Sequence, residues 1–126
     1  MRRSIFWHAK LLPAHVGRKD MQSLLRYLDV ETDRQFETLH PDQIVNWVIQ
    51  ATRKPWFMRN RRCLREGLLG MRFMRLAGYD PSLVFGVNPK SIQTTSMSAH
   101  CWVELDGVPV LNDAQGMEEV YRWPEV

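Results

Sequence analysis

The 126-residue sequence contains little cysteine, with only Cys63 and Cys101. Two isolated cysteines match no zinc-ligand spacing and form no framework of bridges, so neither a structural metal nor a disulfide-stabilised fold is predicted. A chain of this length buries about two-thirds of its unfolded surface, which is enough for a core of its own. We therefore expect a single domain, 1–126, in a reducing compartment.

Long apolar runs are also missing. None approaches the roughly 20 residues needed to span a bilayer, and the short N-terminal run is broken by His8, Lys10 and Pro13, which excludes a convincing signal peptide. We expect a cytoplasmic protein without a membrane partner. A strong charge imbalance is absent as well, because 17 basic residues face 14 acidic ones, a net charge of +3, and this mild excess does not require nucleic acid as a partner.

The first half of the sequence has the apolar spacing of helices. Helices are predicted from Arg3 to Pro13, from about Lys19 to Leu28, and from Pro41 to just before Pro55, with a breaker at Pro13 to Gly17 and a polar connection between Asp29 and His40. We interpret 1–55 as a helical N-terminal layer and 56–126 as the core that carries the chemistry.

A fourth helix is predicted to end at Gly78 and to carry Cys63 in its first turn. The unpaired N–H groups and the dipole of a helix start favour a thiolate there, and nearby arginines, Arg65 among them, add positive charge. Gly67 and Gly70 lie on the same stripe as Cys63, which predicts the close approach of another backbone. By itself this helix is equally consistent with a buried, inert thiol.

Basic residues are concentrated around this helix, between Arg53 and Arg75. A solvated helix face is the simpler interpretation of that cluster. The alternative is a surface that receives an acidic peptide or a phosphate.

After Gly78 the pattern becomes extended, with a strand from Ser82 to Val87 and then the segment AHCWVELDGVPVLND. Asp106 and Gly107 are typical of a two-residue hairpin turn. Counting outward from that turn, one residue at a time on each strand, predicts these cross-strand pairs: Glu104 with Pro109, Trp102 with Leu111, and His100 with Asp113.

The last of these pairs puts a carboxylate beside an imidazole. His100 and Asp113 fall in the non-hydrogen-bonded class, where opposed side chains come closest. Strand alternation turns Cys101 to the other face, and Asn112 with it. Trp102, on the face of His100, is either core or a lid. The three remaining histidines lack such partners and are interpreted as surface or packing residues: His8, His15 and His40.

Together these features predict a catalytic set of Cys63, His100 and Asp113. If the His100 strand packs along the glycine stripe, Cys63 becomes the nucleophile, His100 its proton partner and Asp113 the orienting carboxylate. The Cys63 backbone N–H supplies one oxyanion donor. Each of these residues alone is often structural; their joint occurrence favours a site. No cofactor or metal is predicted.

The motifs also resemble a known family. Arg-Cys-Leu around Cys63, Gly-Val at Gly86, and His-x-Trp-Val-Glu-x-x-Gly from His100 with a following Asp resemble the transglutaminase-like cysteine peptidases of lasso peptide biosynthesis, the B2 or leader-peptidase proteins. The resemblance covers about residues 42–114. It implies an α+β fold with a transglutaminase/papain-like core, in which N-terminal helices and a cysteine-bearing helix pack on a small antiparallel β-sheet. It also implies triad roles for Cys63, His100 and Asp113.

The resemblance further implies a function and partners. The substrate would be a ribosomally synthesised precursor peptide, whose leader is removed so that a lasso cyclase can close the ring. Fused relatives carry an upstream recognition domain, for which the residues before Pro41 are too few, so a separate leader-recognition protein of the B1 type is expected, with the cyclase as a further candidate partner.

Two other functions stay open at this point. One is a transglutaminase-like acyltransferase, in which an amine replaces water and the same triad acts. The other is a non-catalytic module that binds an acidic peptide or nucleic acid through the arginines around Cys63.

Overall fold

The computed structural model describes residues 1–16, 21–53, 62–91, 99–112 and 116–124. Within these ranges the chain forms four α-helices and four β-strands, and the fold is α+β as predicted. The elements in chain order are α1 (Arg2–Val16), α2 (Met21–Leu28), α3 (Pro41–Thr52), α4 (Arg62–Leu76), β1 (Ser82–Val87), β2 (Ala99–Leu105), β3 (Val108–Leu111) and β4 (Glu118–Trp123), with 3-10 turns at Arg34–Phe36 and Pro89–Ser91.

Helix α1 continues through Pro13, where the sequence predicted a break. Proline has no N–H and therefore cannot donate to the carbonyl of Ala9, four residues earlier. That oxygen instead accepts from the guanidinium of Arg65, with Nε at 3.1 Å and Nη2 at 2.6 Å. Arg65 is only 3% exposed. A buried side chain from α4 thus satisfies the carbonyl that Pro13 leaves without a hydrogen-bond donor. Helix α1 ends at Val16.

Helix α3 begins as predicted at Pro41, its first residue. His40 caps it, because its ring Nδ1 accepts from the Asp42 N–H at 3.2 Å, while its own N–H donates to Gln43 at 3.2 Å. This reciprocal pair satisfies the first free N–H groups of the helix. The helix ends at Thr52, before Pro55 as expected.

The strands form an antiparallel sheet in the order β3-β2-β1-β4. Helix α4 lies on one face of it, with the predicted glycine stripe at the contact. A Cβ added at Gly67 would lie 2.8 Å from a Leu83 methyl and 3.6 Å from the Cys101 sulfur, and one added at Gly70 would meet Leu111. The stripe contacts β2 as expected, through Cys101 and Val103, but the atoms nearest to the two glycines belong to side chains of β1 and β3 rather than to another backbone.

The hairpin of β2 and β3 follows the predicted register only near its turn. Leu105 pairs with Val108 and Glu104 with Pro109, but the register then shifts, so Val103 pairs with Leu111. The predicted pairing of Trp102 with Leu111 is therefore wrong. An extra residue in β3, a β-bulge, turns Leu111 toward α4, and alternation alone cannot reveal such an insertion. The predicted pairing of His100 with Asp113 lies outside the described residues.

On the other face of the sheet, the Trp102 ring covers Gly86. A Cβ added at Gly86 would lie 2.7 Å from that ring. The indole Nε1 donates to Glu104 at 2.8 Å, and Arg122 donates to the same carboxylate at 3.0 Å. Because Arg122 belongs to β4, these bonds connect β2 to β4 across β1. The strand β4 was not predicted from the sequence.

Helices and sheet share one set of buried apolar side chains: Ile5, Ala9, Leu24, Leu28, Ile44, Val48, Leu68, Leu69, Met71, Phe73, Met74, Ala77, Leu83, Cys101, Val103 and Leu111. Among the described helices, none is long and apolar enough to cross a membrane.

Candidate active site

Cys63 is the second residue of α4 and is partly buried. Its sulfur is hydrogen-bonded by the Cys101 thiol, by the Cys101 backbone N–H and by the His100 side chain. The Cys101 thiol contributes most to lowering the pKa of Cys63 from 9.0 to about 5, assisted by that N–H and by the charge of His100, while burial opposes the shift. These contacts hold a thiolate at neutral pH.

Cys101 is the residue that sequence reasoning misjudged. Alternation placed it on the face opposite His100, and it does lie on the α4 side of the sheet, only 2% exposed. That face, however, brings it to Cys63. Its hydrogen bond to Cys63, its burial and the negative charges of Cys63 and Glu66 all raise the pKa of the Cys101 thiol. The pair therefore carries its thiolate at Cys63, with Cys101 as the donor.

His100 lies near the start of β2, where it pairs with Gly86 of β1. Its ring stacks on Trp102, with centroids 6.5 Å apart and planes inclined by 29°. Trp102 is itself buried and fixed by its bond to Glu104. The indole is thus a buried support for the imidazole rather than a lid, and it limits the directions in which His100 can turn.

A cavity of about 450 Å³ opens beside the pair. It lies between α3, the first turn of α4, the start of β2 and the end of β3. Its lining combines three apolar side chains with four polar residues: Ile49, Val110, Leu111, Cys63, Glu66, His100 and Asn112. The thiolate and the imidazole therefore share a space large enough for a substrate side chain.

Asn112 is a second residue whose part in the site the sequence did not reveal. It was predicted to face away from His100 beside Cys101, and like Cys101 it reaches Cys63: it lines the cavity, and its side-chain amide donates to the Cys63 carbonyl at 3.3 Å. Its φ of 65° is left-handed, a conformation that asparagine tolerates better than most residues. The bulge in β3 and this backbone conformation together direct the amide to the first turn of α4.

Asp113 lies outside the described residues, and its role as orienter stays a prediction. Two of the other histidines have structural partners, as expected. His8 shares a hydrogen bond of 2.8 Å with the Tyr27 hydroxyl and meets Phe73 edge-on, whereas His40 caps α3.

Three arginines of α4 whose side chains the structure describes do not form the expected solvated face. Arg65 points to Ala9 of α1 rather than to the thiol. Arg72 donates to the Tyr27 carbonyl at 2.6 Å, and Arg75 lies over the Trp123 ring at 5.1 Å. These three cations are engaged in internal contacts, whereas the side chains of Arg61 and Arg62 lie outside the described part of the chain. A basic binding surface around Cys63 therefore stays a prediction.

Within the described ranges, no three His, Cys, Asp or Glu side chains converge as metal ligands would. A concavity of about 430 Å³ lies on α1, but it contains no nucleophile, being lined by Arg2, Arg3, Phe6, Trp7 and Lys10. Among the described residues, the nucleophile and the histidine thus lie together at the cavity between the starts of α4 and β2.

The sequence model of the transglutaminase-like superfamily matches residues 4–122. Because this match covers most of the chain, the chain belongs to that superfamily. Its members are generally cysteine-protease-like enzymes, in agreement with a thiolate beside a histidine. No curated protein and no solved structure is significantly similar to the chain.

Proposed function

We propose that the chain is a cysteine peptidase, which its membership of the transglutaminase-like superfamily supports, and that it removes the leader from a lasso peptide precursor. The observation that carries the proposal is the Cys63 thiolate, with a pKa lowered to about 5 and a hydrogen bond to His100, at the edge of a cavity. A thiolate and a neighbouring histidine are the smallest set of side chains that supports nucleophilic attack on a peptide carbonyl.

In the first half of the proposed reaction, the Cys63 sulfur attacks the carbonyl carbon of the scissile bond. The oxygen takes the negative charge and is met by the Cys63 backbone N–H at the start of α4. His100 then donates its proton to the leaving amine, the C–N bond breaks, and a thioester to Cys63 remains.

In the second half, water attacks the thioester and gives its proton to His100. The C–S bond breaks, the leader is released as a carboxylic acid, and Cys63 returns to the thiolate. Asp113 is proposed to orient the imidazole through both steps, as the carboxylate of a Cys-His-Asp triad does. Trp102 supports the same ring through the stacking described above.

The lasso assignment is supported by the sequence motifs rather than by the site geometry. Arg-Cys-Leu at Cys63 and the motif His-x-Trp-Val-Glu-x-x-Gly from His100 resemble the leader peptidases of that pathway. We accordingly propose a separate B1-type leader-recognition protein as a partner, with the lasso cyclase receiving the product.

Acyl transfer is the competing function, and the superfamily to which the chain belongs makes it a specific alternative. Both reactions share every step up to the thioester and differ in whether water or an amine resolves it. Mass spectrometry of the products separates them, because hydrolysis leaves a free acid on the leader whereas transfer leaves an amide.

The test is cleavage of a candidate precursor by the purified chain together with its recognition protein. Cys63→Ala and His100→Ala are each expected to abolish leader release, because one removes the nucleophile and the other the proton carrier. The matched control is His8→Gln, which changes a histidine that contacts Tyr27 outside the cavity. Unchanged cleavage by Cys63→Ala would overturn the peptidase proposal.

A further inference from the structure

We propose that Cys63 and Cys101 form a reversible disulfide when the chain meets hydrogen peroxide, and that Cys101 thereby protects the Cys63 sulfur from irreversible oxidation. They are the two cysteines of the sequence, and neither is in a disulfide in this structure. The thiol chemistry stands apart from the proposed peptidase function. Its consequence rests on that function, because the disulfide would block the nucleophile until a thiol reductant releases it.

The contact between the two sulfurs is the first argument. The Cys63 sulfur accepts hydrogen bonds from the thiol and from the backbone N–H of Cys101. The Cys101 sulfur lies against the α4 backbone, because a Cβ added at Gly67 would be 3.6 Å from it. Gly67 is one helical turn after Cys63 on the same face. A disulfide bond, about 2 Å long, would therefore join two sulfurs that are already in contact.

The unequal exposure of the two cysteines is the second argument. Cys63 is partly exposed and lines the cavity of about 450 Å³, whereas Cys101 is only 2% exposed. Oxidation by a dissolved peroxide requires both thiolate character and access, and Cys63 has both. Peroxide should therefore react first at Cys63, with the Cys101 thiol already beside the oxidised sulfur.

The disulfide forms in two balanced steps. In the first, the Cys63 thiolate attacks one oxygen of hydrogen peroxide, an S–O bond forms, the O–O bond breaks and hydroxide leaves. Cys63 is thereby oxidised to a sulfenic acid and the peroxide is reduced. In the second, the Cys101 sulfur loses its proton and attacks the Cys63 sulfur. The S–O bond breaks, and the hydroxyl takes that proton and leaves as water.

The first step also makes the second easier. In the reduced chain, the hydrogen bond to Cys63, burial and the negative charges of Cys63 and Glu66 raise the pKa of the Cys101 thiol. A neutral sulfenic acid at Cys63 removes one of those charges, so Cys101 loses its proton more readily. Cys101 is thus unreactive beside a Cys63 thiolate and becomes a better nucleophile once Cys63 is oxidised.

The experiment follows the oxidation by mass spectrometry and needs no substrate. The purified chain is treated with hydrogen peroxide, the excess is removed with catalase, and N-ethylmaleimide in urea labels every remaining thiol. The wild-type chain is expected to lose two hydrogens, to take up no maleimide and to stay a monomer on a non-reducing gel. Dithiothreitol should restore both labelling sites and the reaction of Cys63 with iodoacetamide.

Cys101→Ser is the decisive variant, because its hydroxyl can still donate to the Cys63 sulfur but cannot form a disulfide. Its Cys63 is expected to take up two oxygens, giving a sulfinic acid that dithiothreitol does not reverse. With peroxide at about 0.1 mM, the sulfinic fraction should exceed that of the wild type about tenfold or more, because a thiol of the same chain acts at an effective concentration of about millimolar or higher.

The matched control is Cys63→Ser, in which the buried Cys101 should stay reduced and keep its one maleimide site. Two labelled thiols in the peroxide-treated wild-type chain would overturn the inference. So would a sulfinic acid at Cys63 with Cys101 still free, or a disulfide between two chains. These results need no variant and therefore stand even if Cys101→Ser fails to fold.

An equal sulfinic fraction in the wild type and in folded Cys101→Ser would also overturn the inference, because Cys101 would then give no protection. None of these outcomes bears on the peptidase proposal, which fails separately if Cys63→Ala still releases the leader.

Discussion

At the residue scale, one contact between two cysteines shifts their pKa values in opposite directions. The Cys101 thiol donates to the Cys63 sulfur, and this lowers the pKa of the acceptor while raising that of the donor. The helix start and the histidine were visible in the sequence, since both depend on local patterns. The donor was not, because alternation gives the face on which Cys101 lies but not what packs against that face.

The first prediction concerns the pH dependence of Cys63 alkylation by iodoacetamide. Because its pKa is about 5, the rate should be nearly flat between about pH 6.5 and 8 and fall as the pH drops through 5, where the thiolate is protonated. An ordinary thiol would instead gain about tenfold per pH unit up to about 8.5.

Cys101 variants test the cause of that profile. In Cys101→Ala the main donor is lost, so the inflection should move upward by about one unit or more. Cys101→Ser is the matched control, since its hydroxyl can still donate and should restore much of the shift. If the Ala variant titrates like the wild type, Cys101 does not set the reactivity of Cys63.

At the element scale, the predictable parts were those written in local sequence. The Asp106-Gly107 turn predicted the hairpin. The apolar spacing predicted the cysteine-bearing helix, and Gly67 and Gly70 predicted the face of that helix that packs on the sheet. Strand β4 was missed because it is held by pairing with β1 and by the bond from Arg122 to Glu104, which are remote in sequence. The bulge in β3 was missed because an inserted residue leaves the apolar pattern readable in either register.

The second prediction belongs to the junction of α1 and α4. Arg65→Met removes the donors to the Ala9 carbonyl and leaves a buried acceptor unsatisfied, which should lower the free energy of unfolding by about 1–3 kcal/mol. Pro13→Ala supplies an N–H four residues after Ala9 and should relieve part of this loss. Urea denaturation of both single variants and the double variant measures the coupling.

The coupling decides whether this explanation of the unbroken helix is correct. If Arg65 compensates for the missing N–H, the Arg65→Met substitution should cost less in the Pro13→Ala background by about 1 kcal/mol. Strict additivity would mean that Arg65 stabilises the fold through other contacts and that α1 tolerates Pro13 without its help.

At the scale of the whole molecule, the helical layer and the site depend on the same core. Ile5 of α1 and Leu28 of α2 belong to the same buried cluster as Cys101 and Val103 of β2. The helical layer, 1–55, and the catalytic core, 56–126, were distinguished by their sequence patterns and were predicted to belong to one domain. Whether the two parts also unfold together stays a prediction, and Cys101 provides a way to measure it.

The third prediction uses Cys101 as a reporter of unfolding. In a Cys63→Ser background its thiol is the remaining cysteine and is buried, so a thiol reagent should modify it only when the sheet opens. Ile5→Ala removes a fully buried side chain at the far helix and should destabilise the fold by about 2 kcal/mol or more. If the chain unfolds as one unit, modification of Cys101 should accelerate by about 30-fold or more.

Trp7→Ala is the matched control on the same helix, because Trp7 is 63% exposed and its loss should change the rate by no more than about twofold. The acceleration in Ile5→Ala should equal the change in unfolding free energy measured with urea, since both then report one transition. If urea shows the loss of stability while Cys101 is modified at the unchanged rate, α1 opens separately. The site would then persist without its helical layer, and the single-domain prediction would be wrong.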